Sequence, residues 1–246
     1  MAGTPIEETQ AGSEKLDDGS TNPTGKTSDT TEITITNAPN WPSGENALSG
    51  SRLVDNKHIN GNVELHFHDI VTDDAFPWCH TVNVAIVYQA VGASKNDFVD
   101  VGHIEVDIVD TSVSAREGEE SPVSVALRSL LDTSGGVRED ARKFGDVLGS
   151  RTFVYVCELK PATEWRQKGV GWVAMEILHR MLPFHLGHGD AAMLLQPAGL
   201  DRAVSKEMEG EYQKMLFRFY GSLGYEKRFA TKNGAKAPYT LMGRRL

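Results

Sequence analysis

Polar and apolar residues alternate over residues 62–71, NVELHFHDIV, with Val63, Leu65 and Phe67 on one side and Glu64, His66 and His68 on the other. A period of two marks a strand with one buried face. Two further β-branched runs, TVNVAIVYQAV (81–91) and FVDVGHIEVDIV (98–109), flank the turn-like GASKND and predict an antiparallel hairpin. A polar loop with Gly118 and Pro122 leads into SVALRSLLD (124–132) and VREDARKFGDVL (137–148), where the apolar spacing becomes helical. An unbroken apolar run at 153–159 then predicts a buried strand, and a helix follows from about residue 169 to 182. AAMLLQPAG (191–199) reads as a short buried strand stopped by Pro197. Met208, Tyr212, Met215, Leu216 and Phe219 repeat at helical spacing and end at Gly224, a suitable C′ glycine. Short strands at 225–230 and 239–242 close the chain around KNGAK. Ahead of all this, TEITIT (31–36) alternates but meets Pro39, Pro42 and Gly44 at once, so it is an edge strand or no element. The succession predicts an α/β (α+β) fold, a single mixed, mostly antiparallel central sheet flanked by helices.

The first 50 residues differ from the rest. Residues 1–30 are rich in Gly, Ser, Thr, Asp and Glu with almost no large apolar side chain, so they cannot offset their ordering entropy and read as disordered. The expected division is a disordered acidic tail over 1–50 and one folded domain over 51–246. Of the net charge of −9, the tail carries eight acids against two bases, leaving 26 acids and 23 bases for the remainder. A near-neutral fold without a basic stripe argues against a nucleic-acid binder. Two cysteines, Cys79 and Cys157, are too few for a disulfide framework and fit a reducing, cytoplasmic setting. The N-terminal stretch has no basic and apolar signal pattern, and no run approaches the ~18 apolar residues of a membrane span.

The chemistry concentrates between the 153–159 strand and the helix after it, in KPATEWRQKGVGW. A glycine-bearing turn into a helix leaves backbone N–H groups pointing outward at the positive end of the helix dipole, which suits a phosphate. Gly169 and Gly171 let the backbone approach a bulky anion, and Arg166 and Lys168 add positive charge. A Walker-type loop needs Lys and then Ser or Thr after its last glycine, whereas Trp172 and Val173 follow Gly171. Gly169, Gly171 and Ala174 satisfy the looser dinucleotide pattern GxGxx[GA], but AAMLLQ ends in Gln196 where an acidic residue is expected.

Arg166-x-x-Gly169-x-Gly171 between an apolar strand and a helix resembles the acetyl-CoA pyrophosphate loop, [QR]xxGx[GA], of the GNAT superfamily of N-acetyltransferases. The resemblance extends over roughly the last 165 residues: hairpin, two helices, strand and loop, helix, buried strand, and LFRFYGSLGYEKR, which resembles that family's late helix-to-strand segment. It implies a GNAT-like fold and transfer of an acetyl group from acetyl-CoA to a primary amine by direct attack. The co-substrate would be held by Leu159, Lys160, Arg166, Gln167, Lys168, Gly169, Val170, Gly171, Trp172, Gln196 and Phe217, with the pantetheine arm against the backbone of residues 157–160 facing 193–196. Tyr220 would be the general acid, and Glu158 the general base with Glu105 in reserve. Strict alternation would place Glu158 with Val154 and Val156 on one face of its strand. The resemblance leaves the acceptor unnamed and implies a monomer or homodimer; the charge balance and the lack of an apolar span point to neither nucleic acid nor membrane as partner. A non-catalytic CoA-binding or interaction module with the same fold is the alternative. His66, His68 and the Cys79–His80 pair match no strong zinc spacing, so no metal is expected. His179, His185 and His188 cluster at the end of the loop's helix, toward the acceptor side at best.

Overall fold

The computed structural model describes residues 34–36, 49–72, 78–94, 96–110, 126, 130, 138–139, 152–186, 191–197, 206–230 and 240–246. The tail at 1–30, most of the helices expected at 124–132 and 137–148, His188 and the KNGAK turn lie outside the described residues. So does the side chain of His185.

Among the described residues nine strands form one sheet: β1 (Thr34–Thr36), β2 (Ser49–Asp55), β3 (Asn60–Thr72), β4 (Cys79–Ala90), β5 (Val99–Asp110), β6 (Thr152–Pro161), β7 (Ala192–Leu195), β8 (Glu226–Ala230) and β9 (Thr240–Arg245). Their spatial order is β1-β2-β3-β4-β5-β6-β7-β9-β8. Every pairing is antiparallel except β6 with β7, which is parallel and therefore needs a crossover. That crossover contains helix α1 (Val170–Leu186); helix α2 (Lys206–Ser222) joins β7 to β8. The mixed, mostly antiparallel sheet with flanking helices is the architecture expected from the residue pattern. TEITIT supplies a three-residue edge strand, and β1 and β2 both begin ahead of residue 51.

The sheet has two unlike faces. On one, inward residues of β3 to β6 such as Leu65, Ile86, Ile104 and Val154 form a core with α1. Val170, Val173, Ala174, Ile177, Leu178, Met181 and Leu182 of α1 are all buried. Their spacing of three and four residues is what one helix face requires, and each large side chain contributes roughly 1.5–3 kcal/mol on burial. On the other face, Phe153, Tyr155 and Leu194 pack with Ala126 and Leu130. Helix α1 runs past residue 182 through Pro183 to Leu186, longer than the apolar spacing suggested.

Candidate active site

Strand β6 delivers the chain to the glycine loop. After Pro161 comes a 3₁₀ turn, Thr163–Trp165, then Arg166 in extended conformation. Gln167 adopts φ +62° and Gly169 φ +90°, both in the left-handed region. Glycine takes that region freely, but Gln167 is strained there, a cost that recurs at ligand-binding loops. The first bond of α1 runs from Val173 N–H to the Gly169 carbonyl at 3.1 Å, so the N–H groups of Val170, Gly171 and Trp172 have no backbone acceptor among the described residues. No acidic residue occupies the first turn of α1, which leaves its positive end uncompensated. Trp165 packs at a tilt against Tyr88 with ring centroids 4.8 Å apart, and the Lys168 ammonium lies 4.8 Å from the Trp165 ring centroid. Arg166 turns back, its Nε donating to the Pro161 carbonyl at 3.3 Å. A Cβ on Gly171 would lie 3.3 Å from Pro161 Cγ, 3.8 Å from Leu159 and 3.9 Å from Phe219. The end of β6, the loop, the start of α1 and the late part of α2 therefore meet at this glycine.

Beside the loop the sheet opens. Strands β6 and β7 pair over Phe153–Val156 and Ala192–Leu195; from Cys157 to Pro161 strand β6 continues without a partner on that side among the described residues. The expected juxtaposition of 157–160 with 193–196 is corrected accordingly. Residues 193–195 bond to 154–156, and Gln196, exposed just beyond β7, stands where the gap begins. Of the other residues expected to hold acetyl-CoA, Leu159, Trp172 and Phe217 are half-buried against the α1 core, and Lys160 is exposed.

The register of β5 with β6 shifts between Glu105–Glu158 and Val106–Val156, which makes Cys157 the extra residue of a bulge. A bulge reverses the alternation after it. Leu159 packs with Val154 and Val156 on the α1 face, whereas Glu158 lies opposite Glu105 on the other face. This corrects the face that strict alternation assigned to Glu158. Three carboxylates gather there. Asp107 accepts from the Thr81 hydroxyl at 2.6 Å and from the Cys157 thiol at 3.1 Å. Burial first, and Asp107 second, push the Cys157 thiol far up, so it stays a protonated donor. Glu158 meets His103 Nε2 at 2.8 Å and Lys160 Nζ at 3.6 Å through its two oxygens. Glu105 has no hydrogen-bond or ion-pair partner among the described residues. Burial, then Asp107 and Glu158, raise its carboxyl above the usual carboxylate range, with His103 pulling the other way. The histidines near β3 and β4 have local partners: His66 contacts Glu64 at 3.1 Å and His80 contacts Thr72 at 2.9 Å. No group of three metal-ligating side chains occurs among the described residues.

Tyr220 lies near the end of α2 with its ring buried among Phe219 and Tyr225, at 4.9 and 5.8 Å. Its hydroxyl has no hydrogen-bond partner among the described residues and is not among the buried side-chain atoms shut off from water without one. Burial, then Tyr212, push its pKa up to about 12, so the phenol is protonated at neutral pH. Tyr225 connects this ring to β7, donating its hydroxyl to Met193 Sδ at 3.5 Å.

Sequence spacing did not reveal the polar network beneath. Buried His179 of α1 contacts the Tyr225 oxygen through Nε2 at 2.9 Å, and Arg244 Nη1 through Nδ1 at 3.2 Å. Arg244 can only donate, so Nδ1 accepts and Nε2 carries the proton. Burial first and Arg244 second lower the His179 pKa to about 3. Below pH 6.5 the unfolded chain binds a proton that the folded chain refuses, so stability falls as pH drops from about 6.5 toward 3. By pH 4.5 this single group is expected to cost about 2–3 kcal/mol. Urea unfolding at pH 7 and 4.5 should show wild type losing that much more than His179→Gln; equal losses would mean that the folded imidazole charges freely.

A strand that parts from its parallel neighbour beside a glycine-rich helix start, within this strand order, is the arrangement that the resemblance to the GNAT superfamily implied. No family model matches the chain, and no curated protein matches it. Among solved structures, Arabidopsis thaliana NAA60 in complex with acetyl-CoA is similar at 15% identity and TM-score 0.34, covering 68% of this chain and 76% of that one. The same protein with a bisubstrate analogue is similar at 14% identity and TM-score 0.32, covering 67% of this chain and 75% of that one. Values this low leave the fold resting on the strand order, the splay and the loop.

Proposed function

We propose that this protein transfers an acetyl group from acetyl-CoA to an amine. The observation that carries the proposal is the adjacency of the open helix start at Val170–Trp172 to the gap where β6 leaves β7. The pyrophosphate binds the free N–H groups and Lys168, and the pantetheine arm lies along the unpaired edge of residues 157–160. The thioester then sits at the apex of the gap, near the bulge at Cys157. Tyr220 approaches from the α2 face and the carboxylates from the opposite one.

The amine nitrogen attacks the thioester carbonyl carbon. A C–N bond forms and the C–S bond breaks; the amine's proton passes to a carboxylate, and the departing thiolate takes the Tyr220 proton. Glu105 serves as the base, because Glu158 already spends both oxygens on His103 and Lys160.

Thermal unfolding with and without millimolar acetyl-CoA tests the site. At 100 times its Kd the ligand adds about 2.7 kcal/mol, which raises the midpoint of a chain this long by roughly 5–10 °C. Gly171→Glu places a carboxylate where the phosphate binds and should abolish the shift while still folding. Absence of any shift in wild type would overturn the proposal. Binding without transfer to any amine would instead identify a non-catalytic CoA module.

A further inference from the structure

Strand β2 runs along α1 and ends beneath the glycine loop. Gly50 of β2 lies against Met181 and Ile177, where an added Cβ would come within 2.6 Å of Ile177 Cγ2. Two residues on, Arg52 forms an ion pair with Glu176 and sets its guanidinium 5.5 Å from the Trp172 ring centre. Asn56, in the turn after β2, donates its side-chain amide to the Lys168 carbonyl at 3.2 Å. Successive contacts thus climb α1 from residue 181 to residue 168, toward the helix start.

Asn56 does two separate things with its two ends. Its Oδ1 accepts from the backbone N–H groups of His58 and Ile59 at 2.8 and 3.0 Å, which closes the β2–β3 turn. Its Nδ2 reaches a residue 112 positions away, in the one segment that carries both left-handed residues Gln167 and Gly169. A strained loop keeps one conformation only where its surroundings over-determine it. The carbonyl and N–H of one trans peptide point in opposite directions, so holding the Lys168 carbonyl toward Asn56 turns the Gly169 N–H away from it.

We infer that Asn56 is a positioning residue of the acetyl-CoA site: its amide holds the Lys168–Gly169 peptide so that the loop is shaped before the ligand arrives. The ligand in this statement rests on the proposed function; the holding of the loop does not. The β2–β3 hairpin is then part of the cofactor site although none of its residues belongs to the glycine motif.

Asn56→Asp separates the two ends, because it keeps an acceptor for the turn and loses the donor to Lys168. In the ligand-free protein, hydrogen exchange of the Val173 amide, which donates to the Gly169 carbonyl of the loop, should accelerate about 3- to 10-fold, the loss expected for one hydrogen bond. The unfolding midpoint should fall by only the roughly 2–4 °C that about 1 kcal/mol represents, and the Kd for acetyl-CoA should rise by a similar factor. Asn56→Ala removes both ends and should lower the midpoint further. Unchanged Val173 exchange in Asn56→Asp overturns the inference, even if binding weakens, since repulsion by the new carboxylate would then explain the loss. A midpoint lowered as much as in Asn56→Ala also overturns it, by making the residue merely structural. Faster Val173 exchange in a protein that never binds acetyl-CoA would uphold the positioning role and remove the proposed ligand.

Discussion

Glu105→Gln is expected to slow acetyl transfer about 10²- to 10⁴-fold while leaving acetyl-CoA binding intact, the range for loss of a positioned general base. Three carboxylates meet at the Cys157 bulge, and their hydrogen bonds divide the work among them. Asp107 is engaged by Thr81 and Cys157, and Glu158 by His103 and Lys160. Of the three, Glu105 alone lacks a hydrogen-bond or ion-pair partner among the described residues, and its pKa is raised by burial and then by its two anionic neighbours. A base must be ionised to act, so the acid limb of kcat/KM should lie above the ordinary value of 4.5. The titrating or charged groups around Glu105 are His103 and Asp107 on β5 and Cys157, Glu158 and Lys160 on β6; β4 contributes neutral Asn83 and Thr81. Rates would be measured with the best acceptor from a panel of peptide N-termini, lysine peptides and polyamines. Glu158→Gln should cost less than Glu105→Gln. The reverse order would return the role of base to Glu158.

Gly102→Val is expected to produce the largest loss of stability, on the order of 3 kcal/mol or more, by combining backbone strain with overpacking. Gly102 has φ +142°, and a Cβ there would meet the Lys160 carbonyl and stand 2.7 Å from Pro161 Cα. Both neighbours are backbone, so no side chain can swing away to relieve the clash. For a chain of this size such a loss lowers the unfolding midpoint by roughly 6–12 °C. The lesion also displaces the end of β6 from which the glycine loop starts, so acetyl-CoA should stabilise the variant less than wild type. A midpoint within 2 °C of wild type, on the scale of about 1 kcal/mol, would show that β5 and β6 can separate here at little cost.

Much of the fold was legible because local periodicity reports burial directly. Alternation in 62–71 and 81–91 became β3 and β4, and the three-and-four spacing after Gly169 became the buried face of α1. Gly224 does end the late helix segment, with φ +83° just after α2. Boundaries moved where a signal faded: the helical spacing ended at residue 182, yet α1 continues through Pro183 to Leu186. The candidate site was legible only as a loop. Its glycines announce themselves by type, whereas the side of the strand on which Glu158 falls depends on a bulge, and a bulge is a property of two strands. No spacing rule connects Asn56 with Lys168 or His179 with Arg244, because 112 and 65 residues separate them.

By itself, then, the sequence determined where strands and helices form, which of their faces are apolar, and that a helix begins at a glycine-rich turn. Those features follow from short-range sterics and from the periods of 2 and 3.6. Tertiary structure alone decided which strand lies beside which, where β6 leaves β7, and which carboxylate stays unpaired. It also decided what supports the loop from outside. These depend on register and on contacts between distant segments, whose free energies exist only once the whole sheet has assembled.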